Sequence, residues 1–328
     1  MSKPSVTAVI ARKEFSDALK SKVFVTFFSL LLLLTVVSIT VASFEYKNKV
    51  QVYNQALQQI RNSGQIVPHL TQPDFYPLQL LRPAIEYLEI TGAVLAIVLG
   101  YATIAKEKGT NTFQLLLTRP ISRAQIFFGK FLGNVLIVVS VTTAIFGITY
   151  LALVLIAQAP LSAVEATKVV LTFFFSTMYL MIFFSLSAGL ALAVRSLPNA
   201  LILSFVLWLL FVLIIPQIGD TLDPDNQVPG GFFAGLQMNK AQSDIVLKGF
   251  SWYEVTRNAV EEMSITKHFE RLSFALTGIK DTYNGKPVGI ILHDKRFDVF
   301  WITVFLLAMT AWSERLFSTK QVLWKETT

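Results

Sequence analysis

Six stretches of 16 to 27 predominantly apolar residues recur along the chain, at Val23–Phe44, Tyr87–Ala105, Phe131–Ala157, Val169–Val194, Ala200–Ile218 and Phe297–Trp312. A helix needs roughly 17–25 such residues to cross the ~30 Å hydrocarbon core of a bilayer, and inside that core the backbone must satisfy its own hydrogen bonds. The predicted fold class is therefore an all-α membrane protein with six transmembrane helices. Pro160 closes the third stretch, and Pro198 with Asn199 separates the fourth from the fifth. The first is not a cleavable signal core: its 22 apolar residues exceed the roughly 7–15 of such a core, and a polar segment, 1–22, precedes it. Only 15% of the residues are charged and 53% are apolar, where a soluble domain carries about 25% charge.

The charge distribution predicts an orientation. An even number of spans puts both termini on one side, together with segments 106–130 and 195–199. These segments hold 14 Lys and Arg, against 5 in the short opposite segments 45–86 and 158–168. The positive-inside rule then places both termini in the cytoplasm. The long segment 219–296 carries 9 basic residues, but loops beyond about 60 residues cross largely regardless of charge. The net +7 divides into +9 inside and −2 outside. That makes the basic balance a topology signal and not a nucleic-acid footprint.

Several chemistries are excluded. With no cysteine, disulfides, thiolate metal sites and cysteine catalysis are absent. No Asp, Glu, Lys, Arg or His lies in the central part of any assigned span, which argues against an ion-coupled transporter and leaves an intramembrane enzyme no catalytic set. The chain has no G-x-x-x-x-G-K-[ST] pattern, so it cannot cradle ATP itself. Energy for uphill movement must come from a partner.

The most informative segment is 106–130. Phe113, Leu116 and Leu117 recur at helical spacing, and Pro120 stops that short helix. Ser122 with Gln125 reads as a capping box, and Ile121 with Ile126 as a hydrophobic staple, so a new helix starts there and runs into the third span. From Arg123 to Ala157 it would be about 50 Å long, well beyond the hydrocarbon core. By itself the segment is either an amphipathic connector or a docking helix offered to a cytoplasmic motor.

Glu107-Lys-Gly-Thr110, Phe113-Gln-Leu-Leu-Leu-Thr-Arg-Pro-Ile-Ser-Arg123 and Gly129-Lys-Phe131 resemble the coupling-helix signature of ABC exporter permease subunits. The group they look most like is the six-span permeases of multicopper-enzyme and nitrous-oxide-reductase maturation transporters. The resemblance implies a permease driven by separate ATP-binding subunits, two copies per transporter, which bind ATP and Mg. It implies a second permease chain, identical or a paralogue, and residence in the cytoplasmic membrane of a prokaryote. Glu107, Gly109, Thr110, Phe113, Leu116, Leu117, Arg119 and Arg123 are then the docking candidates, with Pro120 and Ser122 in the turn back to the membrane. Ile10-Ala-Arg-Lys-Glu-Phe15 and Leu19-Lys-Ser-Lys22 resemble the family's interfacial elbow helix, spanning 1–22, although Val9 and Ile10 face away from Phe15 and Leu19. Phe173, Phe174, Phe175, Phe183 and Ser185 on the fourth span are candidates for lining the path or the dimer surface. The chain itself is expected to have no enzymatic activity, bound cofactor or metal.

The domain organisation expected is thus the elbow, five spans over 23–218 with an outer loop at 45–86, a mostly helical extracytoplasmic insertion at 219–296, and the last span with its tail at 297–328. Val50, Tyr53, Leu57 and Ile60 predict that the first span continues outward as helix to about Asn62. Ser251 and Glu254 read as a capping box before a row of Trp252, Val255, Ala259, Met263 and Leu276. Such an insertion suits a cap, a gate or a platform for an accessory protein. Its size supports an alternative function, an ATPase-coupled assembly that pulls on an outer partner and transports nothing. His69, His268 and His293 share no ligand spacing and read as solvated; Asp220, Asp223 and Asp225 read as a solvated turn around Pro224. Gly129 and Gly133 have the spacing that lets helices approach closely.

Overall fold

A computed structural model describes residues 5–63, 76–110, 121–158, 161–222, 232–238, 240–249, 251–279 and 281–319. These residues form helices and contain no strand, and six of the helices are long and apolar enough to span a membrane. The six are Lys22–Asn62, Pro77–Lys108, Arg123–Leu155, Ala163–Ala193, Leu197–Thr221 and Arg296–Thr319. The second and fourth spans are the inner pair, with 61% of the apolar stretch of each buried. The first, fifth and sixth are peripheral, at 22%, 22% and 17%. Their outward rows, such as Leu33, Val37 and Val41 on the first span, are apolar and exposed, as expected of helices solvated by lipid.

Each span begins or ends where local chemistry dictates. The third starts at its expected capping box: the Gln125 amide donates to Ser122 Oγ (3.2 Å) and the Ser122 amide to Gln125 Oε1 (3.1 Å). The fourth starts six residues before the expected boundary because Ser162 and Glu165 form a second capping box. The first helix runs unbroken over Lys22–Ser63, 42 residues, so its outward extension is present. Close approach between spans is set by glycine. A Cβ on Gly100 would stand 2.2 Å from the Phe184 carbonyl oxygen, so only glycine lets the second and fourth spans meet there.

Two spans are widened by π-helical turns, Leu88–Gly92 in the second and Leu209–Ile214 in the fifth. A π-turn displaces carbonyls from their usual partners, and both turns here are supplied with a hydroxyl donor. Tyr179 donates to the Glu89 carbonyl (2.9 Å) while accepting from Thr266 (3.1 Å), and Ser264 donates to the Phe211 carbonyl. Thr266 and Ser264 belong to helix Ile265–Leu276 and its N-cap.

That helix corrects three expectations about the insertion. The apolar row was expected to run continuously to Leu276, but Ser264 caps a new helix, and Leu276 is buried while Trp252, Val255 and Met263 are exposed. Helix Ile265–Leu276 also packs into the bundle rather than over it, with Phe269 stacked on Tyr179 of the fourth span at 4.5 Å. His268, expected to be solvated, is fully buried. Its Nδ1 lies 2.8 Å from Asp298 at the start of the sixth span, and its Nε2 lies 3.1 Å from the Glu262 carbonyl. Asp298 was hidden in sequence by its 30-residue separation from His268. Glu89, near one end of the assigned second span, is buried in the interior of the longer observed helix. The side chains of Ser251 and Glu254, and residues His69, Asp223 and Asp225, lie outside what the structure describes.

Candidate functional site

The elbow helix, Val6–Lys20, is capped by Ser5 and lies across the start of the third span. Its inner face is Thr7, Ile10, Ala11 and Glu14. A Cβ on Gly129 would meet Ile10 Cβ at 2.8 Å, and one on Gly133 would meet the Ala11 carbonyl at 2.7 Å and Glu14 Cβ at 2.8 Å. The Gly129-x-x-x-Gly133 pair therefore forms the seat of the elbow. The elbow lacks a clean apolar stripe because Glu14, not a hydrophobe, is the residue it buries beside Ala11.

Glu14 is buried because Lys130 meets it. The Lys130 ammonium, itself only 3% exposed, lies 2.7 Å from Glu14 and 2.6 Å from Glu107. Charges taken out of water at this depth persist only when paired. Two carboxylates share one ammonium, and among the described residues Glu107 Oε2 is buried with no hydrogen-bond partner.

Glu107 is flanked by two lysines that reach elsewhere. Lys106 pairs with Asp17 of the elbow. That hydrogen bond is the main cause holding the Asp17 carboxyl below the usual carboxylate range. Lys108 donates to the carbonyls of Val194 (2.7 Å) and Ala191 (3.3 Å), at the C-terminal end of the fourth span. There a cation satisfies orphan carbonyls and opposes the helix dipole. Successive helical residues point about 100° apart, so Lys106, Glu107 and Lys108 fan out to the elbow, the third span and the fourth span in turn. Beyond segment 111–120 in sequence, Arg123 donates to the Ser318 carbonyl at the end of the sixth span (2.9 Å). A small apolar cluster of Ile104, Ile126, Phe127, Leu192 and Phe317 floors this collar.

Of the expected docking residues, Glu107 and Arg123 are therefore engaged within the chain. Gly109 and Thr110 complete the helix Ala93–Thr110, with side chains outside the described set; Phe113, Leu116, Leu117 and Arg119 lie outside the described residues altogether. Of the expected lining residues, Phe183, Phe175 and Ser185 are buried in the chain's own packing, Ser185 beside Thr310 (3.1 Å). Phe173 packs edge-on against Phe146, and Phe174 is exposed. Lys130 and Glu14 were missed, and their signal was present: a lone Lys between Gly129 and Phe131, and a Glu on the one elbow face that could meet it.

Beside the collar is a cavity of about 650 Å³ between the elbow and the first, second, third and fifth spans. Phe24, Phe27, Leu99 and Phe205 make its apolar walls. Glu14, Asp17, Lys106 and Asn134 make its polar end.

The described residues thus form an elbow helix seated on a six-span bundle, with Lys106, Glu107, Lys108 and Arg123 tying the helix ends on either side of segment 111–120 to neighbouring helices. The family model for ABC-2 family transporter proteins matches residues 8–322. The chain belongs to the ABC-2 transporter family. It is a membrane permease component of an ABC transporter, a non-catalytic subunit that partners an ABC ATP-binding subunit and sits in lipid. No curated protein matches this permease.

Proposed function

We propose that this permease is half of the membrane domain of an exporter, working as a pair of chains. On this reading each chain is driven by a separate ATP-binding subunit that holds ATP and Mg and docks on residues 106–123 from the cytoplasm. The observation that carries the reading is the collar. A force on the segment between Thr110 and Ile121 is passed by Lys106, Glu107, Lys108 and Arg123 to the elbow and to the third, fourth and sixth spans at once. Such a segment moves a bundle as a rigid body. Glu107 and Arg123 act here as positioning residues, and Phe113, Leu116, Leu117 and Arg119 present the surface to the ATPase. The basic excess on the terminal side supports a cytoplasmic collar.

The cavity shares Glu14, Asp17 and Lys106 with the collar, so displacement of the collar reshapes the cavity. Apolar walls with one charged end suit an amphiphilic cargo entering from the cytoplasmic leaflet. The flanking apolar rows of the first and fifth spans offer a surface to a second chain. The test is reconstitution with the cognate ATPase. Phe113→Ala should weaken ATPase association, and Lys108→Gln should leave association intact while lowering ATP-driven flux. Unchanged association in Phe113→Ala with Leu116→Ala and Leu117→Ala would remove the docking assignment. ATPase activity with no flux of any amphiphile would favour an assembly acting on an outer partner.

A further inference from the structure

Helix Ser251–Glu262 is amphipathic and inside out. Trp252, Val255, Ala259 and Met263 share one row that is exposed along its length, with Val255 and Met263 each more than 60% exposed. The opposite row carries charge and faces inward. Glu261 receives Arg271 and lies against Gly219 of the fifth span, with Arg257 beside it. In water an amphipathic helix buries its apolar row. This helix buries its ion-paired row instead, while Thr256, Asn258 and Glu262 stay exposed at the edges of the apolar row, so it is that row alone that meets surroundings other than water.

The level of the helix says what those surroundings are. The fifth span starts at Leu197, next to the charged turn at Arg195. Phe211 lies about 21 Å along it and Gly219 about 33 Å, against a hydrocarbon core of ~30 Å. Ser264, which follows Met263, is bonded to the Phe211 carbonyl, and Glu261 stands beside Gly219. The C-terminal half of the helix therefore sits at the boundary between acyl chains and headgroups, on the side opposite the termini. At that level the fifth span also exposes Leu213, Ile214 and Ile218, so the apolar row continues a surface already facing the bilayer. Trp252 has the amphipathic ring typical of that boundary.

We infer that helix Ser251–Glu262 is an interfacial anchor whose Trp252/Val255/Ala259/Met263 row lies in the lipid of the far leaflet. Its partner is the lipid surface itself. The anchor holds helix Ile265–Leu276 against the π-turns of the second and fifth spans.

The absence of cysteine makes the test direct. Val255→Cys, Ala259→Cys and, as the neighbouring exposed position off the row, Asn258→Cys are each labelled with a polarity-sensitive fluorophore. The full chain is then reconstituted in phosphatidylcholine–phosphatidylglycerol vesicles. A shallow lipid-borne quencher should quench labels at 255 and 259 about threefold more than the label at 258, and aqueous iodide should show the reverse order, as for a face sunk roughly 5–10 Å into the boundary. Iodide quenching at 255 and 259 equal to that at 258 would overturn the inference. So would protection from both quenchers with disulfide formation between two Ala259→Cys chains, which would make the row a contact between copies.

Discussion

Replacing Lys130 by methionine isolates the contribution of the buried triad. Methionine keeps the stem and removes the ammonium that lies 2.7 Å and 2.6 Å from the two carboxylates. Two oxygens that close to one nitrogen are no more than about 5 Å apart. Unscreened by the lysine, their repulsion is about 3 kcal/mol at an effective dielectric constant of ~20. Orphaning buried charges by removing one partner costs about 3–5 kcal/mol by comparison with other buried pairs, so the two routes agree. The triple variant Glu14→Gln/Glu107→Gln/Lys130→Met removes every charge and should recover at least half of that loss, because what destabilises Lys130→Met is the uncompensated charge and not the lost contacts. The assay is reversible unfolding in mixed detergent micelles, with hydrogen exchange across residues 6–20. Lys130→Met should raise exchange in the elbow together with its loss of stability. Should the triple variant prove no more stable than Lys130→Met, the electrostatic account of the elbow's seat fails.

Gly100→Ala should cost several kcal/mol, since its Cβ would overlap the Phe184 carbonyl, whereas Gly147→Ala, where nothing lies within 4 Å, should be neutral or slightly stabilising by about 0.5–1 kcal/mol from helix propensity; parallel unfolding curves check both. Tyr179→Phe removes the donor to the Glu89 carbonyl and should cost about 1–3 kcal/mol, read as loosened exchange in both the second span and helix Ile265–Leu276. His268→Ala removes both the imidazole that meets Asp298 at 2.8 Å and the ring packed against Phe297 and Trp301, leaving the buried carboxylate only the longer Lys295 contact (3.7 Å), and should be more destabilising than Asp298→Asn, which keeps an acceptor for the ring; equal losses would contradict this. For Asp17 the folded carboxyl is depressed, so its contribution is present above the ordinary carboxylate value of about 3.9 and is lost as pH falls through the lower folded value. Asp17→Asn should therefore leave the pH profile of elbow protection unchanged between about pH 5 and 8.

The architecture was legible because it rests on local rules. Apolar length marked the six spans, and the Ser122–Gln125 box marked the start of the third. The spacing of Val50, Tyr53, Leu57 and Ile60 marked the outward run of the first helix. What stayed hidden depends on contacts between distant residues. Glu14, Glu107 and Lys130 are separated by more than 20 residues from one another, and no periodicity joins them. His268 read as solvated because its partner Asp298 belongs to another helix. The row Trp252–Met263 was recognised, but periodicity alone cannot say which way a row faces; Glu261 and Arg271, pairing beneath it, decided that. The proposed docking segment rests on resemblance; what the structure adds are the partners of Lys106, Glu107, Lys108 and Arg123, which flank it in sequence.

The unbroken first helix has a mechanical consequence. At 42 residues it is about 63 Å long, twice the ~30 Å hydrocarbon core. It begins beside the elbow, one residue after Ser21, and carries no glycine or proline over its whole length to absorb a bend. A tilt of about 10° about its base would sweep its far tip through roughly 11 Å, by the rise per residue. A small tilt at the elbow end would thus become a displacement as wide as a helix at the opposite surface. In this protein the longest reach belongs to the span that directly follows the elbow.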